Sequence, residues 1–281
     1  MNPTIATAKS AISRVRRDLT IGLLLKFLLL GVAVSVILFE PMVQGGFGGT
    51  FILIGIGVLW FLLSARSARG TQLAVGASPL IAMGQFDAAE QQLDEALRSF
   101  SLFRGAKLIG LHHLAVLRHA QRRFTESAAL SRALLGQRLG TLERLSKPTR
   151  LILAESLLET SDPAGAYDAL VGLYRHRLSL AEATTLLSIQ TDYSTRIGAW
   201  DAIVQGIDAK LQMCELMPSE RAARTLGFLA LALMKVGRTS EADVVRRRAA
   251  LLVDPADLIT QRPLLSQVWG TTNERSGPEA L

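Results

Sequence analysis

Between positions 112 and 123 the chain gathers His112, His113, Arg118, His119, Arg122 and Arg123, side chains that could ligate a metal, move a proton or hold an anion. A metal site fits them poorly, because His112 and His119 lie two helical turns apart and no third ligand follows at a ligand spacing. Proton transfer and nucleophilic catalysis need partners that the sequence does not supply. It contains no H-E-x-x-H, no Cys-x-x-Cys, no Gly-x-Ser-x-Gly and no phosphate-binding glycine loop. Gly45, Gly46, Gly48 and Gly49 share only the composition of such a loop, and they fall between two apolar runs where a chain reversal accounts for them. Cys214, the single cysteine, excludes an intramolecular disulfide and any site needing several thiolates; a small apolar filler in a helix is the expectation. No catalytic residue, metal or cofactor is therefore assigned. Two readings of the cluster stay open. It is either an ordinary solvated helix face, as charged stretches usually are, or part of a surface that recognises an acidic segment of a partner.

The elements that would position these side chains are helical. The AVILMFWYC class makes up 49% of the 281 residues while aromatics make up 6%, so the apolar content is mostly Ala, Leu, Val and Ile, and Ala and Leu lose little freedom in a helix. Two apolar runs near the N-terminus, Ile21–Phe39 with Lys26 its one charge and Phe47–Ser64 with none, are each long enough to span about 30 Å of hydrocarbon at about 1.5 Å per residue. Lys26 can snorkel back to the headgroups, and Trp60 suits an interfacial anchor. The connector, with Pro41 and its glycines, allows only a tight hairpin. Small residues at Gly31, Ala33, Gly55 and Gly57 would let the two spans approach closely. No small-x-small cleavage site separates the runs, so a retained anchor is expected rather than a signal peptide.

The formal charge of +7 would suggest nucleic acid, but its position argues otherwise. Lys9, Arg14, Arg16, Arg17, Lys26, Arg66 and Arg69 stand against only Asp18 and Glu40 within residues 1–70, so most of the excess lies beside the apolar runs. There it orients the spans, and Arg14, Arg16, Arg17, Arg66 and Arg69 are expected to meet anionic lipid. With basic residues flanking both spans and only Glu40 between them, both termini and everything after residue 70 are expected on the cytoplasmic side of an inner membrane.

After residue 70 the pattern repeats. Met83–Leu97, MGQFDAAEQQLDEAL, places Gly84, Phe86, Ala89, Leu93 and Ala96 in an order that recurs in Leu229–Pro255 with Gly237, Ala242, Ala249 and Asp254-Pro255. Weaker copies run over Leu111–Leu135, with Phe124 and Ser127, over Leu151–Leu170, with Asp162-Pro163, and over Thr184–Lys210, with Trp200. Elbows fall near 86, 124, 163, 200 and 239, a period of about 38. This pattern resembles the tetratricopeptide repeat, in which Gly turns the chain between two antiparallel helices and an aromatic caps the elbow. Arg246 departs from it by standing where a large apolar group belongs. Ser78-Pro79 reads as an N-cap and first position of a short first helix, with 64–76 either extending the second span or forming a linker. The expectation is an all-α protein: a basic N-terminus and transmembrane hairpin over 1–70, a TPR-like α-solenoid of about five helix pairs over 71–270, closed by Pro255–Gly270, and a disordered tail over 271–281.

The resemblance implies that certain first-helix positions line a concave groove. In this chain they fall at His112, Val116 and His119, with Arg123 close by, and in the next repeat at Leu151, Glu155, Leu158 and Glu159. Such a groove would take a protein or peptide segment, not nucleic acid. The expected function is a membrane-tethered adaptor or scaffold in the assembly or regulation of a membrane-associated complex. A permanent structural subunit is the alternative, and an enzyme with scattered catalytic residues the less favoured one. In layout, though not in motif, the chain resembles membrane tetratricopeptide proteins linked to bacterial haem biosynthesis.

Overall fold

The computed structural model describes residues 8–39, 47–101 and 103–270. The expected turn at 40–46, including Pro41, and the expected tail at 271–281 lie outside the described residues. Among the described residues there are fourteen α-helices and no strand. Two compact units divide the chain, residues 1–156 and 157–281.

The first unit opens on two long helices. α1 covers Ala8–Phe39 and α2 covers Phe47–Ala82. Both are long and apolar enough to cross a membrane. Leu24 (62% exposed), Phe27 (65%), Phe51 (71%) and Phe61 (71%) have no protein to cover them. An apolar surface of this kind on every side of a helix is what lipid, not water, accommodates.

Each helix extends past its apolar run, α1 at its start and α2 at its end. The basic N-terminal segment is the first part of α1, and its Ala8, Ala11 and Val15 repeat at three- and four-residue steps and are buried. They join one core with Ala77, Ala89, Leu93, Leu97, Leu108, Leu111 and Leu114 from the helices beyond the spans. Likewise α2 runs through residue 70 and through Ser78-Pro79 to Ala82. Residue 70 is therefore not a boundary, and the first helix of the first pair does not begin near Ser78. Pro79 is accommodated because it removes only the bond to the Val75 carbonyl, one turn from the helix end. Ala74 and Ala77, both fully buried, hold the segment in place.

The next helices are α3 (Phe86–Arg98), α4 (Arg104–Ala120), α5 (Phe124–Leu135) and α6 (Ser146–Glu159), with a 3-10 turn at Gly140–Leu145 before α6. α2 packs antiparallel on α3, and α4 on α5. Gly110 lets α4 come close: a Cβ there would meet Leu97 at 3.1 Å.

The second unit contains α7 (Pro163–Val171), α8 (Leu180–Arg196), α9 (Trp200–Val204), α10 (Ile207–Cys214), α11 (Ser219–Lys235) and α12 (Thr239–Leu252). It ends in α13 (Pro255–Gln261), a 3-10 turn at Pro263–Leu265 and α14 (Ser266–Trp269). Its core is built on α11, whose Ala222–Leu233 stretch is almost entirely buried against α8, α9, α12 and the C-terminal elements. Leu265 and Trp269 close over Gly227, where a Cβ would sit 3.2 and 3.3 Å from them.

Five turns share one geometry. Gly84, Arg122, Ser161, Gly198 and Gly237 all have positive φ, between 59° and 83°. At each, that residue's N–H bonds the carbonyl three residues back, and the next N–H bonds the carbonyl five back, as in Gly84 N to Ile81 O (3.1 Å) and Gln85 N to Leu80 O (2.9 Å). This is the Schellman arrangement, which satisfies the orphan carbonyls of a helix end. The second helix starts two residues later, at Phe86, Phe124, Pro163, Trp200 and Thr239, the elbows expected from sequence. The fourth second-helix is split into α9 and α10 because Gly206 adopts φ 65°, which explains why that copy is the weakest in sequence.

Candidate partner-binding face

The expected groove residues are placed mostly in the packing. His112 is 6% exposed, and its Nδ1 lies 2.9 Å from Thr149 Oγ1. The single Thr149 hydroxyl proton goes to the Leu145 carbonyl at 2.6 Å, so the hydroxyl accepts and His112 must donate. His112 Nδ1 therefore carries a proton. Seven residues along α4, His119 Nε2 sits 3.5 Å from Glu155 Oε2, and the His119 ring lies edge-on to Phe124. Val116 is half-buried between them. Arg123 bonds Glu126 in the first turn of α5, and Leu151 is buried. Where resemblance implies an open groove, His112 and His119 of α4 meet Thr149 and Glu155 of α6.

Burial gives His112 a titration consequence. Desolvation, then the charge of His113, whose ring is 5.3 Å away, pushes its pKa down to about 4 from 6.5. The unfolded chain binds this proton below pH 6.5 and the folded chain only near 4, so folding becomes less favourable as pH falls between those values. At pH 5 the full-length protein is expected to be less stable than at pH 7 by about 2 kcal/mol from this residue. His113 acts in the same direction. His112→Asn should flatten the dependence in denaturant titrations; a wild-type profile flat from pH 7 to 5 would contradict the assignment.

Arg118 is neither in a groove nor on a solvated face. It is fully buried and forks Glu90 of α3, with Nη1 to Oε2 at 3.0 Å and Nη2 to Oε1 at 2.7 Å. Nη1 also reaches Gln121 at 2.6 Å, and Nε lies 3.3 Å from Glu126 of α5. One guanidinium thus ties α3, α4 and α5 together, and its hydrogen bonds hold the Glu90 carboxyl below its ordinary 4.5.

In the second unit Leu158 is buried, and its carbonyl accepts from Arg196 Nη1 at 2.7 Å. Glu159 takes both Nη groups of Arg262, whose Nη2 also faces Asp192 at 3.4 Å. Arg196 closes the network on Asp192 at 2.7 Å. Leu158 and Glu159 therefore fasten the C-terminal segment to α8, and the charge of Glu159 is already matched.

A different set of side chains faces outward. All three tyrosines of the chain come together in the second unit. Tyr167 stacks on Tyr193 with centroids 5.7 Å apart and planes at 24°. Both of these tyrosines lie close enough to Tyr174 to raise its pKa, after burial. Tyr167 (47%), Val171 (38%) and Tyr174 (52%) are exposed at four- and three-residue steps, and Arg175 and His176 follow on the surface. Large exposed aromatics beside an arginine are the composition of protein-binding hot spots. Sequence reasoning passed over them because the three tyrosines are scattered in sequence; the i, i+4, i+7 run of Tyr167, Val171 and Tyr174 was the available signal.

Of the arginines expected at lipid, Arg16, Arg17, Arg66 and Arg69 are exposed, while Arg14 is half-buried beside Asp94 at 3.5 Å. Comparison of the chain with family models, with curated proteins and with solved structures finds no match in any of the three.

Proposed function

We propose that this protein is a membrane-anchored adaptor. Its two apolar helices fix TPR-like repeats at the cytoplasmic face of the inner membrane, and the repeats bind a partner protein. The carrying observation is the exposed cluster of Tyr167, Val171 and Tyr174, braced by Tyr193 and flanked by Arg175 and His176; it gathers all three tyrosines of the chain, where the other exposed apolar side chains of the unit are aliphatic. Stacked rings are already ordered, so a partner loses little entropy in binding them. The flanking Arg175 favours a partner with acidic groups at its rim. Five Schellman turns at a spacing of about 38 support the repeat reading, and basic residues flanking both spans support the orientation.

Affinity recovery from native membranes in mild detergent tests the reading. A stoichiometric partner is expected with the intact chain. Tyr167→Ala with Tyr174→Ala should weaken recovery by roughly thirtyfold or more, the effect of losing about 2 kcal/mol at a hot spot, while thermal unfolding stays unchanged. Recovery of the chain alone, or a partner held equally by the variant, overturns it. A C-terminal reporter active only in the periplasm would overturn the orientation.

A further inference from the structure

The loop between α3 and α4 reaches back to the apolar helices. Phe103, 42% exposed, lies edge-on to Trp60 of α2 with centroids 6.4 Å apart, and Lys26 Nζ of α1 stands 5.4 Å from the centre of its ring. Lys26 is five residues past Ile21, the first exposed large apolar residue of α1, so it lies about 7.5 Å further along the axis. Trp60 is six residues before Arg66, about 9 Å inside the first charge that follows the second span. Elements that lie in a membrane interface bury their apolar side about 5–10 Å into the headgroup and acyl boundary. Phe103 sits at that depth on both helices.

The backbone of this loop is tied down from inside the protein. The Leu97 and Ser99 carbonyls accept from the buried Lys107 Nζ at 2.5 and 2.6 Å. The Ala96 carbonyl accepts from Ser99 Oγ at 3.0 Å, and the Phe103 carbonyl from Ser101 Oγ at 2.9 Å. These four carbonyls are satisfied without water, which removes the cost that a bare carbonyl would carry near hydrocarbon. Cation–π contact with Lys26 and ring contact with Trp60 then place the aromatic where amphipathic side chains collect at a bilayer surface.

We infer that the α3–α4 loop is an interfacial membrane element: Phe103 inserts into the headgroup and acyl boundary of the leaflet on the repeat side, and the partner of this surface is lipid. The inference rests on the reading that α1 and α2 span the bilayer. It makes the first helical pairs lie against the membrane surface instead of being held away from it.

Depth-dependent quenching tests this on the full chain in phosphatidylcholine–phosphatidylglycerol vesicles. Phe103→Trp is placed in a background of Trp60→Phe, Trp200→Phe and Trp269→Phe, with Phe61→Trp and Tyr174→Trp as reference positions. The indole at 103 is expected to be quenched most by lipids brominated near the headgroup end of their chains, less by lipids brominated near the methyl end. It should be several-fold less accessible to acrylamide than the indole at 174. Quenching at 61 without quenching at 103 overturns the inference and leaves the spans standing; quenching at neither position overturns both. If the tryptophan background unfolds, a nitroxide at Phe103→Cys in Cys214→Ala decides the same question. Oxygen access exceeding that of a polar nickel chelate is the expected result, and the reverse overturns the inference.

Discussion

Lys107→Met is expected to destabilise the first unit by about 3–5 kcal/mol, the scale for removing one member of a buried ion pair. Lys107 is 1% exposed. Its ammonium has three donors and uses each of them: Asp18 Oδ2 at 2.8 Å and the Leu97 and Ser99 carbonyls. Methionine keeps the stem's volume but strands a buried carboxylate and two carbonyls at the end of α3. Thermal unfolding in mild detergent should drop by about 10 °C, at about 2–4 °C per kcal/mol for a chain of this size. Adding Asp18→Leu removes the stranded charge and should recover part of the loss, leaving the cost of the two carbonyls. A shift of less than about 2 °C for Lys107→Met would mean the pair is not buried in the folded protein.

Arg118→Ala should cost a comparable amount, again about 3–5 kcal/mol, because it leaves Glu90 facing a cavity without its buried cation, while Glu126 keeps only Arg123. Arg118→Lys is expected to rescue little. A compact ammonium cannot hold both Glu90 oxygens, Gln121 and Glu126 at once. The pH dependence gives a second readout. Glu90 has a depressed pKa in the folded chain, so its stabilising share is present above 4.5 and is lost as pH falls through the folded value. That acid-side loss should shrink in Arg118→Ala, where only Gln121 and Arg123 still lower the Glu90 pKa. A variant whose midpoint and acid profile both match wild type would show that the fork does not hold α3 to α4.

Much of the architecture was legible in the sequence because its signals are local. The apolar runs announce the two long helices by length alone, and the elbows at Phe86, Phe124, Pro163, Trp200 and Thr239 follow from turn residues a few positions away. What was not legible depends on partners far along the chain. Ala8, Ala11 and Val15 look like an unremarkable basic N-terminus until the surfaces that bury them are known. Arg118 reads as one more charge in a charged stretch, and only Glu90, twenty-eight residues earlier, makes it a core residue. Pro79 reads as a helix start because proline favours that position, yet the burial of Ala74 and Ala77 carries the helix through it. For the candidate site the spacing of the histidines puts His112 and His119 on one helix, but spacing does not say whether a face meets solvent or the next helix.

The docking of α1 also sets an order on synthesis. Residues 8–18 are made well before their partners: Asp18 meets Lys107 only after about ninety further residues have been made, a contact of long sequence separation that closes late. Through that interval the apolar edge of Ala8, Ala11 and Val15 has nothing to cover it. Premature termination before Leu108 and Leu111, which share its core, leaves a chain with a permanently exposed apolar edge, a mark by which a truncated product differs from a finished one.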